Sequence, residues 1–331
     1  MKIKEVVGLD VSKSKIDVII HSNQHYFQID NKLRGFKSLV KQVAKSSLFN
    51  AENIVFILEY SGLYSDQIRM FFHNQNIPHV VVPGLAIKRS LGITRGKDDK
   101  IDARKIALYG YRLREELKLS TMPAENIIAI KKLLGLRSRL VKQRAGYIAS
   151  LKELKGRCVR KDNELLFSTQ ESMIRDLTKH INKVEAEIQQ IVKADEKLNN
   201  MYQLLLSIKG VGKQTAWHMI VTTEGFTKFE NARQFASYCG IAPFPNRSGS
   251  SIYGKTKVSN LAYKKIKVLL DLCAKSAIQF DNELRLFYHK RVEAGKNKKS
   301  TINIIRNKLL TRMFAVIKRN TPYVDIFKYA A

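Results

Sequence analysis

Residues 3–30 read IKEVVGLDVSKSKIDVIIHSNQHYFQID, and this stretch decides the fold of the first part of the chain. It contains three short apolar runs, at 3–9, 16–22 and 25–30, with polar residues between them. Short runs rich in β-branched and aromatic residues, bounded by polar turns, are typical of β-strands. The stretch therefore predicts three consecutive strands, the first of which stops at Asp10.

The residues that follow alternate between helical and strand patterns. The predicted elements are a helix in NKLRGFKSLVKQVAK (31–45), a buried strand at 53–58 that ends at Glu59, a helix from Tyr64 to Asn74, a strand at 79–82 closed by Pro83-Gly84, and a further helix from Ile101. Three strands followed by helix, strand, helix and strand indicate an α/β domain with a mixed sheet over residues 1–120.

Residues 121–200 differ in sequence pattern from the first region. They form long, charged, amphipathic segments with no proline after Pro123. Apolar residues recur there at steps of three and four, at Leu177, Ile181, Val184, Ile188 and Ile191. This spacing is typical of a helical hairpin or coiled coil. The region serves either as a spacer or as an oligomerisation arm, and the spacing does not choose between a dimer and a tetramer.

Residues 201–331 form a third predicted region, an α-rich C-terminal domain. It contains SIKGVGKQTA at 207–216, where Gly210 and Gly212 indicate a tight turn between two helices. Backbone N–H groups at the start of the second helix suit a phosphate group, and Lys209 and Lys213 flank the turn. The pattern is typical of a helix-hairpin-helix that binds DNA; the alternative is an ordinary glycine turn.

The composition points to a polyphosphate partner. The chain has 331 residues, with 59 Lys and Arg against 29 Asp and Glu, and a formal net charge of +30. A field of this size favours nucleic acid, although a ribosomal-type or merely basic protein would also carry it. No apolar stretch is long enough to span a membrane. Three scattered cysteines fit neither a disulfide framework nor a metal site, and predict a reducing cytosol, with the protein on the nucleoid when bound.

Four acids are expected to converge on one site if the strands that precede Asp10 and Glu59 are neighbours in the sheet. Asp10 and Glu59 follow two strands, and Asp99 and Asp102 lie three apart at a helix start, on one face of the helix. Converging carboxylates repel one another unless cations lie between them, and hard ions such as Mg²⁺ or Mn²⁺ prefer oxygen ligands. Two such ions could assist a phosphodiester displacement. The adjacent Asp98 is an alternative ligand to Asp99.

Three serines, Ser248, Ser250 and Ser251, lie in PFPNRSGSSIYGKTKVSN at 243–260, predicted to be a polar loop. A serine needs a base or nearby cations before it can attack phosphorus. The seven histidines are scattered and form no triad. From the residues alone, these serines are more typical of a flexible loop than of a nucleophile.

These features in this order resemble the DEDD-type insertion-sequence transposases, now described as bridge-RNA-guided recombinases. The resemblance covers nearly the whole chain, and the motifs that carry it are GLDVSKSKIDV (8–18), LEYSG (58–62), KDDKIDARKIA (97–107), IKGVGKQTA (208–216) and FASYCGIAPFPNRSGSSIYGKTKVS (235–259). The resemblance implies a RuvC-like N-terminal domain of the RNase H fold.

The resemblance also implies roles for particular residues. Asp10, Glu59, Asp99 and Asp102 match the acids that bind Mg²⁺ in the family, and Ser248, which precedes Gly249, best matches the serine that attacks DNA. The family commonly continues with a basic S-K-x-G-N stretch, whereas this chain reads VSNLAYKK. Ser250 and Ser251 therefore remain alternatives. A guide RNA would select the DNA by base pairing, so that the protein needs mainly backbone and shape contacts.

The resulting expectation is a recombinase that excises, circularises and inserts its own element. The side chains expected to contact phosphates are Arg95, Lys97, Lys209, Lys213, Arg247, Lys255 and Lys257. One alternative is a RuvC-type junction resolvase or nuclease that uses water. The other is a nucleic-acid-binding scaffold with an inactive RNase H fold.

Overall fold

A computed structural model of the chain describes residues 2–90, 92, 98–249 and 252–325. The chain divides into two compact units, Met1–Met122 and Pro123–Ala331. Each unit has its own buried apolar core.

The first unit is built on a five-stranded mixed sheet, as predicted. The strands are β1 (Glu5–Val11), β2 (Lys15–Ile20), β3 (Tyr26–Asp30), β4 (Ile54–Glu59) and β5 (His79–Val82), in the order β3-β2-β1-β4-β5. The β1–β2 and β2–β3 pairs are antiparallel, whereas β1–β4 and β4–β5 are parallel. This mixed sheet with helices on both faces fits the RNase H-like fold that the sequence resemblance implies.

The prediction that the first strand stops at Asp10 is wrong. Strand β1 continues through Asp10 to Val11, and Asp10 pairs with Asp17 of β2. The apolar pattern ends at Leu9, but backbone pairing with β2 extends the strand by two residues.

Four helices cover the two faces of this sheet: α1 (Leu33–Ser46), α2 (Leu63–Asn74), α3 (Gly84–Ser90) and α4 (Asp99–Arg112). Helices α1 and α2 pack on the face that contains Val7 and Leu9. Helices α3 and α4 lie on the opposite face, where Ile87 and Ile106 pack against Val6. Alternation along a strand therefore turns the even-numbered residues of β1 towards α4.

The second unit begins with two long helices, α5 (Glu125–Arg157) and α6 (Glu164–Ala194), joined by a short connection. They run antiparallel, because Arg137 contacts Glu185 and Arg144 contacts Thr178. The helices α7 (Glu196–Leu206), α8 (Lys213–Thr222), α9 (Ala232–Tyr238), α10 (Lys264–Phe280), α11 (Asn282–Glu293) and α12 (Lys298–Arg319) follow, with a hairpin of β6 (Pro243–Ser248) and β7 (Ile252–Val258) between α9 and α10.

The helical hairpin shares its core with the helices that follow it. Ile130 of α5 and Ile188 of α6 belong to the same buried cluster as Trp217 of α8 and Leu309 of α12. Residues 123–331, which hold nearly all of the predicted ranges 121–200 and 201–331, thus form one compact unit, because the base of the hairpin has no separate core. Within the described residues, no helix is both long and apolar enough to cross a membrane.

Candidate active site

The mixed sheet places Asp10 and Glu59 side by side. Strands β1 and β4 are parallel neighbours with Leu9 opposite Leu58, so the next residues, Asp10 and Glu59, are at the same level. Both follow residues that face α1 and α2, and strand alternation turns both towards the face that α4 covers.

Helix α4 brings the other two acids to this face. Asp99 and Asp102 lie in its first turn, and the helix packs directly on β1 at Gly8. A Cβ at Gly8 would lie 2.5 Å from the backbone oxygen of Ala103 and 2.5 Å from the backbone nitrogen of Ala107. The missing side chain therefore permits the close approach of helix and strand that carries these acids to Asp10.

The charges of these acids act on one another. The pKa of Asp10 is raised to about 6, first by burial and then by the negative charges of Asp102, Asp99, Asp17 and Glu59. The pKa of Glu59 is also raised, by burial and then by Asp102. Asp98, the alternative to Asp99, is the N-cap residue of α4.

Part of the negative charge is balanced within the protein, because Lys105 Nζ lies 2.8 Å from Asp102 Oδ1. Among the residues that the structure describes, no three acidic, histidine or cysteine side chains stand close enough together to hold a metal ion. The four carboxylates are thus electrostatic neighbours rather than a preformed cage. Their oxygen atoms are nevertheless the donors that Mg²⁺ and Mn²⁺ prefer, so the residues present fit such an ion chemically.

Asp17 is a fifth acid of this cluster that the sequence analysis missed. It lies opposite Asp10 in the β1–β2 register and is only 2% exposed. Its Oδ1 accepts hydrogen bonds from Tyr26 Oη at 2.6 Å and from Gln28 Nε2 at 2.7 Å. The hydrogen bond to Asp17 is the main reason that the pKa of Tyr26 rises to about 12. The sequence does contain a signal for Asp17, because it is an acid within the apolar run IDVII (16–20).

Gly84, at the start of α3, leaves the space that the Glu59 side chain occupies. A Cβ built on Gly84 would overlap the Glu59 carboxylate, whose Oε1 is the nearest atom. The sequence pattern at Pro83-Gly84 predicts only a turn that closes a strand. The structure shows that this glycine also borders one of the four acids.

The serine region is a β-hairpin, and the prediction of a polar loop over 243–260 is wrong. Ser248 is the last residue of β6 and pairs with Ile252 at the start of β7. Proline, glycine and serine are typical of loops, but paired backbone hydrogen bonds hold both sides of this segment as strands. Ser250 and Ser251 lie outside the described residues.

The predicted phosphate-binding side chains fall into three groups. Arg247, Lys255 and Lys257 lie exposed on the β6–β7 hairpin. Arg95 and Lys97 lie outside the described residues.

The third group flanks the turn between α7 and α8. Gly210 has a φ of +90°, and Gly212 is the N-cap residue of α8. Lys209 pairs with Asp325 at 2.6 Å, and Lys213 pairs with Glu185 at 2.5 Å. In this structure both lysines are therefore engaged within the protein.

Two models of known families match the chain. A model described as Transposase, of the DEDD type in IS110 elements, matches residues 7–154. A model described as Transposase IS116/IS110/IS902 family matches residues 202–289. The chain belongs to the IS110 family of transposases. The first match of this IS110-family chain covers all four acids, and the second covers the β6–β7 hairpin.

Similar proteins agree with this assignment. The pilin gene-inverting proteins of Moraxella bovis and Moraxella lacunata are each 28% identical over 331 residues, which is 97% of this chain and 98% of each relative. A 43.6 kDa protein of insertion element IS110 from Streptomyces coelicolor is 28% identical over 140 residues, 42% of this chain and 33% of the relative. This IS110-family member is a DNA transposase or recombinase, and thus an enzyme whose partner is DNA.

Proposed function

We propose that this transposase excises, circularises and inserts its own element by cutting and rejoining DNA, with Ser248 as the nucleophile. Asp10, Glu59, Asp99 and Asp102 would bind divalent metal ions, Mg²⁺ or Mn²⁺, at its RNase H-like sheet. A structured RNA would select the DNA, and the enzyme would act as a dimer or tetramer.

The observation that carries the metal proposal is the mutual repulsion of the acids around Asp10. Burial and four neighbouring negative charges raise the pKa of Asp10 to about 6. Such an arrangement is unfavourable for the protein by itself and becomes favourable when a cation lies between the carboxylates. Bound divalent ions would stabilise the negative charge that develops on the phosphate oxygens and assist serine deprotonation.

The chemistry at Ser248 would be a transesterification. Its Oγ forms a bond to phosphorus, one bridging P–O bond of the DNA strand breaks, and the departing sugar oxygen takes up a proton. The phosphoserine link preserves one phosphodiester, so a sugar hydroxyl from another strand can attack it and release the serine. No external energy source is needed, because each step exchanges one phosphate ester for another.

The charge distribution supports nucleic acid as the partner of the serine region. Residues 231–270, which include the β6–β7 hairpin, contain seven Lys and Arg residues and no Asp or Glu. Cations without neighbouring acids attract phosphates independently of the base sequence. Such contacts do not select a DNA sequence, which fits selection of the DNA by base pairing with a guide RNA. Relatives named for inverting a pilin gene also support a DNA rearrangement.

The decisive experiment is denaturing electrophoresis of the protein with labelled element-end DNA, its guide RNA and Mg²⁺. We expect a covalent protein–DNA adduct that is absent in Ser248→Ala and in Asp10→Ala. Ser259→Ala is the matched control, because Ser259 follows β7 and its hydroxyl accepts a hydrogen bond from the Leu261 backbone nitrogen. It should retain the adduct.

Other outcomes would select the alternatives. An adduct that persists in Ser248→Ala but not in Ser250→Ala or Ser251→Ala would move the nucleophile to the neighbouring serine. Metal-dependent cleavage without any adduct would favour a RuvC-type nuclease that uses water. No cleavage of a cognate junction under any of these conditions would favour a non-catalytic scaffold.

A further inference from the structure

One face of the β6–β7 hairpin combines an aromatic ring with cations. Tyr253 lies directly opposite Arg247 in the strand register, and the Arg247 guanidinium lies 5.8 Å from the centre of the Tyr253 ring. Lys255 is two residues beyond Tyr253 on the same strand, at the register shift of the hairpin, and its side chain is exposed. The ring is therefore bordered by positive charge.

Tyr253 leaves most of its side chain in solvent. Its side chain is 73% exposed, and among the described residues its recorded contact is the one with Arg247. Phe244, on the partner strand, is also 46% exposed and lies opposite Lys257. A small antiparallel ribbon that leaves two aromatic rings in solvent forgoes much of the stabilisation that their burial would provide.

The charge of the surroundings identifies the kind of partner. Because residues 231–270 lack acidic side chains, nothing in this segment neutralises Arg247 or Lys255. Exposed aromatic rings interleaved with cations are the combination by which proteins hold unpaired nucleic-acid strands, since bases stack on the rings while phosphates contact the cations. A protein partner would have to present acidic side chains to these cations. Intact duplex DNA offers no free base face on which the Tyr253 ring could stack.

We infer that Tyr253 stacks on an unpaired DNA base next to the phosphate that Ser248 attacks, with Arg247 and Lys255 on the flanking phosphates. The inference rests on the proposed function, because the DNA strand at this hairpin is the one that Ser248 would attack. Ser248 adjoins Arg247 in the chain. The strand being exchanged must leave its duplex, and the ring offers a surface for its exposed base. The hairpin would thus favour locally opened DNA over intact duplex.

The test compares binding of a labelled oligothymidylate with binding of a duplex, by fluorescence anisotropy with EDTA present so that no strand is cut. We expect Tyr253→Ala to weaken binding of the single strand by about tenfold. Binding of the duplex should change by less than about twofold, because a duplex already stacks its own bases. Tyr253→Phe keeps the ring and should retain the affinity of the unchanged protein.

Two matched controls separate stacking from other effects. Tyr64→Ala removes an exposed tyrosine of the first unit and should leave both affinities unchanged. Lys255→Gln should weaken single-strand and duplex binding alike, because it removes only a phosphate contact.

Two results would overturn the inference: equal losses for single strand and duplex in Tyr253→Ala, or no loss for either. A change in oligomeric state in Tyr253→Ala, with DNA binding intact, would show that the ring contacts a second copy instead. These results are distinguishable from failure of the proposed function, which is judged by the Ser248→Ala adduct assay and not by binding.

Discussion

At Gly84, the absence of a side chain decides where the Glu59 carboxylate can lie. A Cβ at this position would displace the end of a flexible glutamate side chain rather than the backbone, so the variant should fold. We expect Gly84→Ala to lower metal-dependent DNA cleavage by about 10- to 100-fold, the usual effect of disturbing a residue that positions a metal ligand. Cleavage rates measured across a Mg²⁺ titration would test this, and the loss should be partly recovered at high Mg²⁺.

Gly135 of α5 is the matched control for Gly84, because a Cβ there would meet no atom within 4 Å. Replacing a glycine inside a helix with alanine should raise the free energy of unfolding by roughly 0.5–1 kcal/mol. Cleavage by Gly135→Ala should be unchanged. Normal cleavage in Gly84→Ala would mean that the position of Glu59 does not matter for the reaction.

At the scale of the element, α8 is a helix buried on almost every side. Six consecutive residues, Thr215 to Ile220, are buried, and His218 is among them. Burial, with smaller contributions from Lys265 and Arg137, lowers the pKa of His218 to about 3. The folded protein therefore keeps His218 neutral over a pH range in which the unfolded chain protonates it.

This difference gives a pH dependence of stability with a defined sign. As the pH falls from about 6.5 towards 4, the unfolded chain binds a proton at His218 and the folded chain does not, so the free energy of unfolding decreases. His218→Gln should unfold more easily at pH 7 but lose less stability on acidification than the unchanged protein. Urea unfolding at a series of pH values measures both. His180→Gln, on the exposed side of α6, is the control. If His218→Gln lost as much stability on acidification as the unchanged protein, the prediction would be wrong.

At the scale of the whole molecule, the net charge of +30 should make DNA binding strongly dependent on salt. Each cation that contacts a phosphate of duplex DNA contributes about 0.9 to the slope of log affinity against log salt concentration. Replacing both Lys255 and Lys257 with glutamine should therefore reduce the slope by about 1.8. Fluorescence anisotropy titrations between low and physiological salt would measure it.

Lys228→Gln is the control for this change. Lys228 is also an exposed cation of the second unit, but it pairs with Glu224 at 2.8 Å. Its replacement should leave the slope almost unchanged. An equal decrease for Lys228→Gln and for the hairpin double variant would mean that the charge acts diffusely and that the hairpin has no particular role.

Local patterns in the sequence predicted the first unit closely. The predicted strand at 79–82 matches β5, and the predicted helix from Tyr64 to Asn74 begins one residue after the start of α2. These elements are recognisable because alternation and helical spacing are properties of a few neighbouring residues. The β6–β7 hairpin was missed because its composition is that of a loop and its pairing joins residues on two strands.

The sequence alone determines the residue types, the charge and the periodicity of this protein. These properties in turn predict the sheet, the long helices and the acids available for metal binding. Only the tertiary structure decided that Asp17 joins Asp10, that Gly84 borders Glu59 and that Lys213 pairs with Glu185. The reason is physical: periodicity is local, whereas these contacts depend on strand register and helix packing between residues distant in the chain.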